Sequence, residues 1–259
     1  MGCVAVHADK FRFCQDFLSV IEQLDYFPIT VCGIRTCIIC PCKVANLWRK
    51  NNLKITHKIL SKFYDLIDVF YFTSKGDNPR TAILNIIPNK NVKVLDMCCG
   101  TMSNGIRIAK KRKRAKVIGI DLSSNMLNIA KDKIRKDKVK NASIHKCDAT
   151  NTEFENEKFD YVIIALVLHE IKMELANAML KEAYRLLKND GELIVLEWEK
   201  SSSIIKSIKF APIKILEPKP FTSFFALDKK EYFSDNQFEI IQKYHCDYSC
   251  VYEMKKRVQ

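Results

Sequence analysis

The sequence predicts an α/β fold, a doubly wound and mostly parallel sheet with an N-terminal helical extension, and three observations carry that expectation. Short, strongly apolar runs alternate with segments of helical spacing from Val92 onward, and strands without a polar face belong to sheets covered on both sides. A small-residue turn, Cys98-Cys99-Gly100-Thr101, joins the first run to the first helix. An acid, Asp121, closes the second run about 20 residues further on, where doubly wound folds hold a ribose.

The elements follow in order. Leu53 to Phe72 places Ile55, Ile59, Leu60, Phe63, Leu66, Ile67 and Phe70 at helical intervals, and Pro79 interrupts before a second short helical stretch, Thr81 to Ile87. Val92 to Met97 reads as the first strand, with a helix starting at Ser103; Val117 to Ile120 is the second, with Ser123 or Ser124 capping the next helix. Ser143 to Cys147 and Tyr161 to Leu168 continue the series. Met173 to Leu187 reads as a helix stopped by Asn189-Asp190-Gly191, and Glu192 to Trp198 follows as a strand. Phe238 to Tyr244 and Tyr248 to Met254 alternate like strands and are antiparallel, because a parallel pair needs a long crossover.

Composition narrows the class of protein. The chain has 259 residues, enough for one domain of about 150 residues with an appendage. Its 47% hydrophobic and 28% charged content excludes a mainly disordered chain. Even the apolar stretch Ile29 to Trp48 is broken by Gly33, Arg35, Pro41 and Lys43, short of the roughly 18 apolar residues of a membrane span. A net charge of +13, from 43 basic and 30 acidic residues, favours anionic partners such as nucleic acid, acidic lipid or a phosphorylated substrate. Eleven cysteines, an odd number, with no basic-led apolar leader, point to a reducing cytoplasm. Cys37-Ile-Ile-Cys40-Pro-Cys42, with Cys32 upstream, matches no pair of C-x-x-C knuckles, so it reads as reduced thiols in an irregular extension and no metal site is assigned.

Taken in order, Val92-Lys-Val-Leu-Asp96-Met-Cys98-Cys99-Gly100-Thr-Met102-Ser103-Asn-Gly105, then Asp121, then Cys147-Asp148-Ala149, then Phe159-Asp160-Tyr-Val-Ile-Ile, the chain resembles the class I S-adenosylmethionine-dependent methyltransferases over about residues 90 to 259. Arg185-Leu-Leu-Lys-Asn-Asp-Gly191-Glu-Leu-Ile-Val is similar to the helix, turn and strand that follow the family's active-site strand, and Lys62-Phe-Tyr64-Asp65 to the entry helix of small-molecule members. Ubiquinone/menaquinone C-methyltransferases and phospholipid N-methyltransferases look nearest. The resemblance implies a Rossmann-like, seven-stranded sheet with its last strand antiparallel and S-adenosylmethionine lying over the carboxyl ends of the first strands. It also divides the chain into a cysteine-rich extension of unassigned role (1–52), a helical lid or entry segment (53–90) and the cofactor domain (91–259).

Carried over residue by residue, the resemblance implies that Asp96 and Gly100, with Cys98 in the same turn, frame the methionine moiety. Asp121 holds both ribose hydroxyls, Met126 packs on the adenine, and Asp148 with Ala149 meets the adenine amino group. Tyr64 closes over the carboxylate end. The family's turn has glycine where this chain has Cys98 and Met102. Only glycine lacks a Cβ, so Met102 must point away from the ligand or reshape the pocket.

Leu166-Val-Leu168-His169-Glu170-Ile171 follows the fourth strand and should face the transferred methyl. Methyl transfer from a sulfonium is an in-line displacement, so alignment matters most, and a base is needed only when the acceptor carries a proton. His169 or Glu170 is the candidate base. Glu197 and Trp198 are placed to line the acceptor pocket, Trp198 by cation–π attraction if the acceptor is an amine. Phe221, Phe224 and Phe225, in a segment 200–232 read as part of the lid, suit an apolar acceptor. Each residue also has a plain structural role open to it: Asp121 as a helix N-terminal acid, Asp148 as a turn residue, Cys98 and Cys99 as small buried hydrophobes, Trp198 and the phenylalanines as core.

Two basic clusters, Arg107 to Lys116 and Lys131 to Lys140, read as solvated helix faces, with an anionic membrane surface or RNA as alternative partners. No aromatic residues are interleaved with them as stacking platforms for single-stranded nucleic acid. The expectation is a cytoplasmic methyltransferase acting on a small-molecule or lipid-like acceptor. An RNA (tRNA) methyltransferase is the runner-up, and a non-catalytic binding protein on the same fold is the third reading, resting on Met102. Nothing in the sequence sets the acceptor atom or the oligomeric state.

Overall fold

The computed structural model describes residues 78–199, 220–246 and 248–257; Tyr64, the expected 53–72 helix, the 1–52 extension and residues 200–219 lie outside them. Asn78 caps the first described helix, α1 (Pro79–Ile86), its side chain accepting the Arg80 N–H at 2.9 Å. Pro79 therefore opens this helix, because its missing N–H costs nothing in the first turn.

The chain then alternates β1 (Lys93–Met97), α2 (Ser103–Lys111), β2 (Lys116–Asp121), α3 (Ser124–Lys136), β3 (Ala142–Lys146), β4 (Phe159–Ala165), α4 (Met173–Leu186) and β5 (Leu187–Trp198). Two short helices, α5 (Pro220–Ala226) and α6 (Lys229–Asp235), precede β6 (Phe238–Cys246) and β7 (Ser249–Lys256). The seven strands form one sheet in the order β3-β2-β1-β4-β5-β7-β6, with β7 antiparallel to both β5 and β6. The order reverses beside β1, which places a crevice at the carboxyl ends of β1 and β4.

Alternation along each strand sends neighbours to opposite faces. Val94, Ile163, Ile194 and Val251 pack with Ile83 of α1, Ile87 just after it, and Ile106 and Ala109 of α2 on one side. Leu95, Val162, Ile164, Val195 and Tyr252 pack with Leu180 and Ala183 of α4 and Phe233 of α6 on the other. Both faces are dry, hence the near-continuous apolar strands. β3 stands at the edge with its side chains largely exposed, and its polar Ser143, His145 and Lys146 belong to that position.

Two expectations need correction. The α4 helix stops at Leu186, and Leu187 already pairs with Phe159; Lys188 to Gly191 then bulge out before Glu192 resumes the ladder opposite Tyr161. A Cβ on Gly191 would lie 3.1 Å from the Asp160 carbonyl, so the glycine serves the bulge and not a helix stop. Within the described part of the 200–232 segment, Phe224 and Tyr232 are core residues, and Phe233, just beyond it, packs α6 onto the sheet. This part covers the sheet and does not act as a lid. No helix among the described residues is long and apolar enough to cross a membrane.

One buried cluster fixes the loop after β3. Glu182 Oε1 accepts from the Thr152 N–H (2.8 Å) and hydroxyl (2.6 Å), and Arg185 holds the same carboxylate while donating to the Phe154 carbonyl. Burial raises the Glu182 pKa, but the bonds from Arg185 and Thr152 outweigh it and hold the carboxyl below its usual 4.5. A lowered folded-state pKa means stability that is present above the unfolded value and lost as pH falls. Glu182→Gln is expected to destabilise the fold by about 1–3 kcal/mol at neutral pH, with the deficit shrinking below pH 4.5. Thermal melts of both proteins across this range check it.

Candidate active site at the carboxyl ends of the strands

The loop from β1 to α2 carries three left-handed residues, Cys98 (φ 53°), Gly100 (φ 54°) and Met102 (φ 59°). Two of them are the non-glycine departures noted in the sequence. Such a conformation costs a side-chain-bearing residue about 1–2 kcal/mol, so something must hold the loop. The Met102 N–H donates to the Cys99 carbonyl at 2.7 Å, and the Cys99 N–H to Ile120 at 2.9 Å. The Gly100 N–H donates to Asp121 Oδ2 at 2.9 Å, and the other oxygen of that carboxylate accepts from the Ser123 N–H at 2.8 Å.

Met102 points away from the ligand side. It is fully buried and lies beneath the loop, where a Cβ on Gly105 would meet its Cε at 2.8 Å and a Cβ on Gly119 would meet it at 3.2 Å. Cys99 Sγ fills the other approach to Gly119, at 2.8 Å. The chain has exchanged one loop glycine for a methionine that two glycines elsewhere accommodate. In front of Gly100 a Cβ would meet nothing within 4 Å. Open space, a glycine backbone and a nearly buried acid make a cradle that fits the methionine and ribose parts of S-adenosylmethionine.

Asp96 lies under the same loop, accepting the Gly105 N–H at 3.1 Å. Burial pushes its carboxyl up to about 7; the Gly105 bond and the nearby Arg80 pull it down, and Asp121 raises it further. Arg80 is itself held by Asn104 at 2.5 Å. Burial also pushes the Cys99 thiol up, which makes it an inert core thiol; Cys98 is half-buried against the core. Met126 sits half-buried in the first turn of α3, its N–H given to the Ser123 hydroxyl at 3.3 Å. Asp148 Oδ1 is engaged by the Thr150 N–H and hydroxyl, at 2.8 and 2.7 Å, in a local turn. Ala149 beside it is buried in the core.

The most concentrated chemistry lies across the crevice. His169 is 1% exposed and Glu197 fully buried. Glu197 Oε2 pairs with His169 Nδ1, while Oε1 accepts from the Val167 and Leu168 N–H groups at 3.2 and 2.8 Å. Leu166, left-handed at φ 54°, turns the chain out of β4 so that this loop folds back over the end of β5. Trp198 lies 6.5 Å from the imidazole, ring to ring. Glu170 is half-buried, its N–H closing a turn onto Val167 at 3.0 Å; the carboxylate pair is made by its neighbour.

Two residues joined to this cluster escaped the sequence reading. Tyr232 of α6 is 8% exposed, and its hydroxyl has no hydrogen-bond partner among the described residues. Burial and the Glu197 charge push its pKa up, so it stays a neutral O–H donor. Lys229, one turn earlier, donates to the Phe224 and Leu227 carbonyls at 2.5 and 3.2 Å and lies over the Phe224 ring. Burial lowers its pKa, with Glu197 acting against it. No repeat or motif marks this stretch; the acid at Asp228, capping α6 through the Lys230 and Glu231 N–H groups, was the available signal.

Known proteins identify the family and the fold. A family profile described as a methyltransferase domain matches residues 94–191. Demethylmenaquinone methyltransferase from Staphylococcus aureus (strain MRSA252) is 31% identical over 189 residues, covering 71% of this chain and 76% of that protein. The chain belongs to the class I S-adenosylmethionine-dependent methyltransferases. Among solved structures, a SAM-dependent methyltransferase from Aquifex aeolicus superposes with TM-score 0.60 at 19% identity, over 77% of this chain and 98% of that one. Magnesium protoporphyrin IX methyltransferase from Synechocystis PCC 6803, solved with bound SAH, gives TM-score 0.53 at 21% identity, over 69% and 82%. Class I methyltransferases take S-adenosylmethionine as the methyl donor, and the non-catalytic reading that rested on Met102 falls away.

The Asp96 carboxyl supplies a test of this loop. Its raised folded-state pKa means that its contribution to stability is complete below the ordinary 3.8 and is eroded as pH rises to about 7. Asp96→Asn is therefore expected to gain stability relative to the parent over that interval and hold a constant advantage above it, as read from denaturation midpoints at matched pH.

Proposed function

We propose that this methyltransferase methylates an aromatic, lipid-like acceptor of the quinol class, with His169 as the base. The observation that carries the reading is the buried His169–Glu197 pair at the ends of β4 and β5, with Trp198 beside the imidazole and the buried Tyr232 hydroxyl close enough to feel the Glu197 charge. The quinone named in the S. aureus relative supports the class of acceptor.

When bound, S-adenosylmethionine supplies an electrophilic methyl group on a sulfonium. Asp121 keeps one lone pair on each oxygen beyond its bonds to Gly100 and Ser123, and these accept the ribose hydroxyls. Asp96 faces the methionine ammonium across the Gly100 turn. Met126 packs on the adenine, and Asp148, beside Ala149, accepts the adenine amino group through the oxygen its turn does not use.

A quinol ring carbon becomes nucleophilic when its hydroxyl loses a proton. With Nδ1–H donated to Glu197, the neutral His169 ring carries its lone pair on Nε2, and that atom takes the hydroxyl proton. Glu197 stabilises the imidazolium so formed. The Tyr232 hydroxyl donates to the acceptor's second oxygen, and Trp198 supplies a flat apolar wall. Bound S-adenosylmethionine would supply its methyl group to that ring carbon held in line with it, and loss of the carbon's own hydrogen as a proton would restore the aromatic quinol. The basic residues Lys110, Lys111, Lys113 and Arg114, exposed at and beyond the end of α2, give the protein a cationic face towards an anionic membrane where such acceptors reside.

The deciding experiment incubates the chain with methyl-labelled S-adenosylmethionine and, separately, a polyprenylated naphthoquinol, its tail-less analogue, a phospholipid amine and tRNA. Label on the quinol ring supports the reading; label on RNA or on the amine overturns it. Asp121→Ala is expected to weaken cofactor binding by about 1–3 kcal/mol in calorimetric titration, the cost of hydrogen bonds to a charged group. His169→Ala should lower kcat about 10²–10⁴-fold. Tyr232→Phe, which removes a buried hydroxyl that has no partner among the described residues, should leave stability unchanged or raised by about 1 kcal/mol while raising the acceptor KM.

A further inference from the structure

A second set of ligating side chains lies at the same end of the sheet, outside the methyl-transfer machinery. His245 of β6 and Cys250 of β7 stand directly opposite each other, and Cys250 also faces Glu197 of β5. Glu199 follows Glu197 by two residues, and its N–H extends the ladder to the Tyr248 carbonyl at 2.9 Å. The period of two puts Glu199 on the same face as Glu197, so three adjacent strands present one ligand each to one side of the sheet. A carboxylate oxygen of Glu199, a ring nitrogen of His245 and Cys250 Sγ all lie within 4.8 Å of one another. Glu199 Oε2 and His245 Nδ1 are already hydrogen-bonded at 2.7 Å.

We infer that Glu199, His245 and Cys250 form a zinc site with one coordination position left for water. Zn–S and Zn–N or Zn–O bonds of about 2.3 and 2.0 Å put these tetrahedral ligands about 3.3–3.5 Å apart. The exposed His245 and the half-buried Glu199 reach that spacing by side-chain rotation, with the strands unmoved. The donor set selects the ion: one sulfur, one nitrogen and one oxygen suit borderline Zn²⁺ and are wrong for Mg²⁺ or Ca²⁺, which require oxygen shells. Thiolate and carboxylate balance the ion's charge, and the thiol proton passes to solvent as the Zn–S bond forms. The ion would tie the ends of β6 and β7 to the end of β5, one step beyond the Glu197 that holds His169. This site stands or falls independently of the acceptor proposed above.

The test is zinc uptake by the reduced full-length chain against a chromophoric chelator, compared with His245→Ala and Glu199→Gln. The comparison is differential because the chain holds other thiols, Cys37, Cys40 and Cys42 among them. Wild type should take up one more equivalent of Zn²⁺ than His245→Ala, and Glu199→Gln should bind that equivalent at least about tenfold more weakly. Co²⁺ in place of zinc should give tetrahedral ligand-field bands, with the sulfur charge-transfer band lost in Cys250→Ser. Equal stoichiometry and affinity in wild type and His245→Ala, or no uptake by wild type, overturns the inference. His245 is exposed, so its variant keeps the test valid even if Cys250→Ser does not fold.

Discussion

The Asp121 carboxylate is the group on which the cofactor end of the molecule depends. One oxygen draws the Gly100 N–H toward the end of β2, and the other holds the Ser123 N–H that begins the cap of α3. A single side chain thus connects the β1 turn, the end of β2 and the start of α3. The loop it steadies contains Cys98 and Met102 in conformations that glycine adopts without cost. Fixing Gly100 from outside lets the chain keep these residues, and the buried Met102 side chain returns packing against Gly105 and Gly119. The departure from the family's glycines is a redistribution of small residues between the loop and the floor beneath it.

The same end of the sheet concentrates negative charge in a protein of net charge +13. Asp96 is 2% exposed, Asp121 5% and Glu197 0%, and each is satisfied by backbone N–H groups. Buried carboxylates so arranged attract a ligand bearing a sulfonium, an ammonium and a diol. Burial pushes the Asp96 carboxyl up to about 7, and an ammonium nearby would draw it back toward the ionised form. The basic surface on α2 and α3 reaches this end at one point, where Lys133 of α3 donates to the Thr101 hydroxyl at 3.0 Å.

How much of this was legible in the sequence follows from the range of each interaction. Strands β1, β2, β4 and β5 announce themselves because both sheet faces are buried, and Gly100 and Asp121 because turn, strand and helix succeed each other within one βαβ unit. The His169–Glu197 pair was not legible as a pair. Its members are 28 residues apart and meet only because β4 and β5 are parallel in a register that aligns Ala165 with Leu196. Tyr232 was hidden for another reason: α6 is short, and its aromatic residues resemble those of a covering segment until β6 and β7 show which face they enter. The bulge at Lys188 to Gly191 misled because Asn-Asp-Gly is the same local signal whether it ends a helix or interrupts a strand.

The placement of Glu197 explains why the loop after β4 can be short and still precise. A histidine on a loop of irregular backbone would lose orientation unless its ring and its main chain were anchored together. Glu197 does both, since one oxygen takes the ring Nδ1 and the other takes the Val167 and Leu168 N–H groups just before it. The anchor sits on β5, whose own position is set by pairing on both sides, with β4 and β7. Removing the carboxylate would therefore release the loop as well as the ring, whereas removing the Tyr232 hydroxyl leaves its ring packed on Phe224 and Phe233. That asymmetry separates a residue that holds the loop from one that packs beside it.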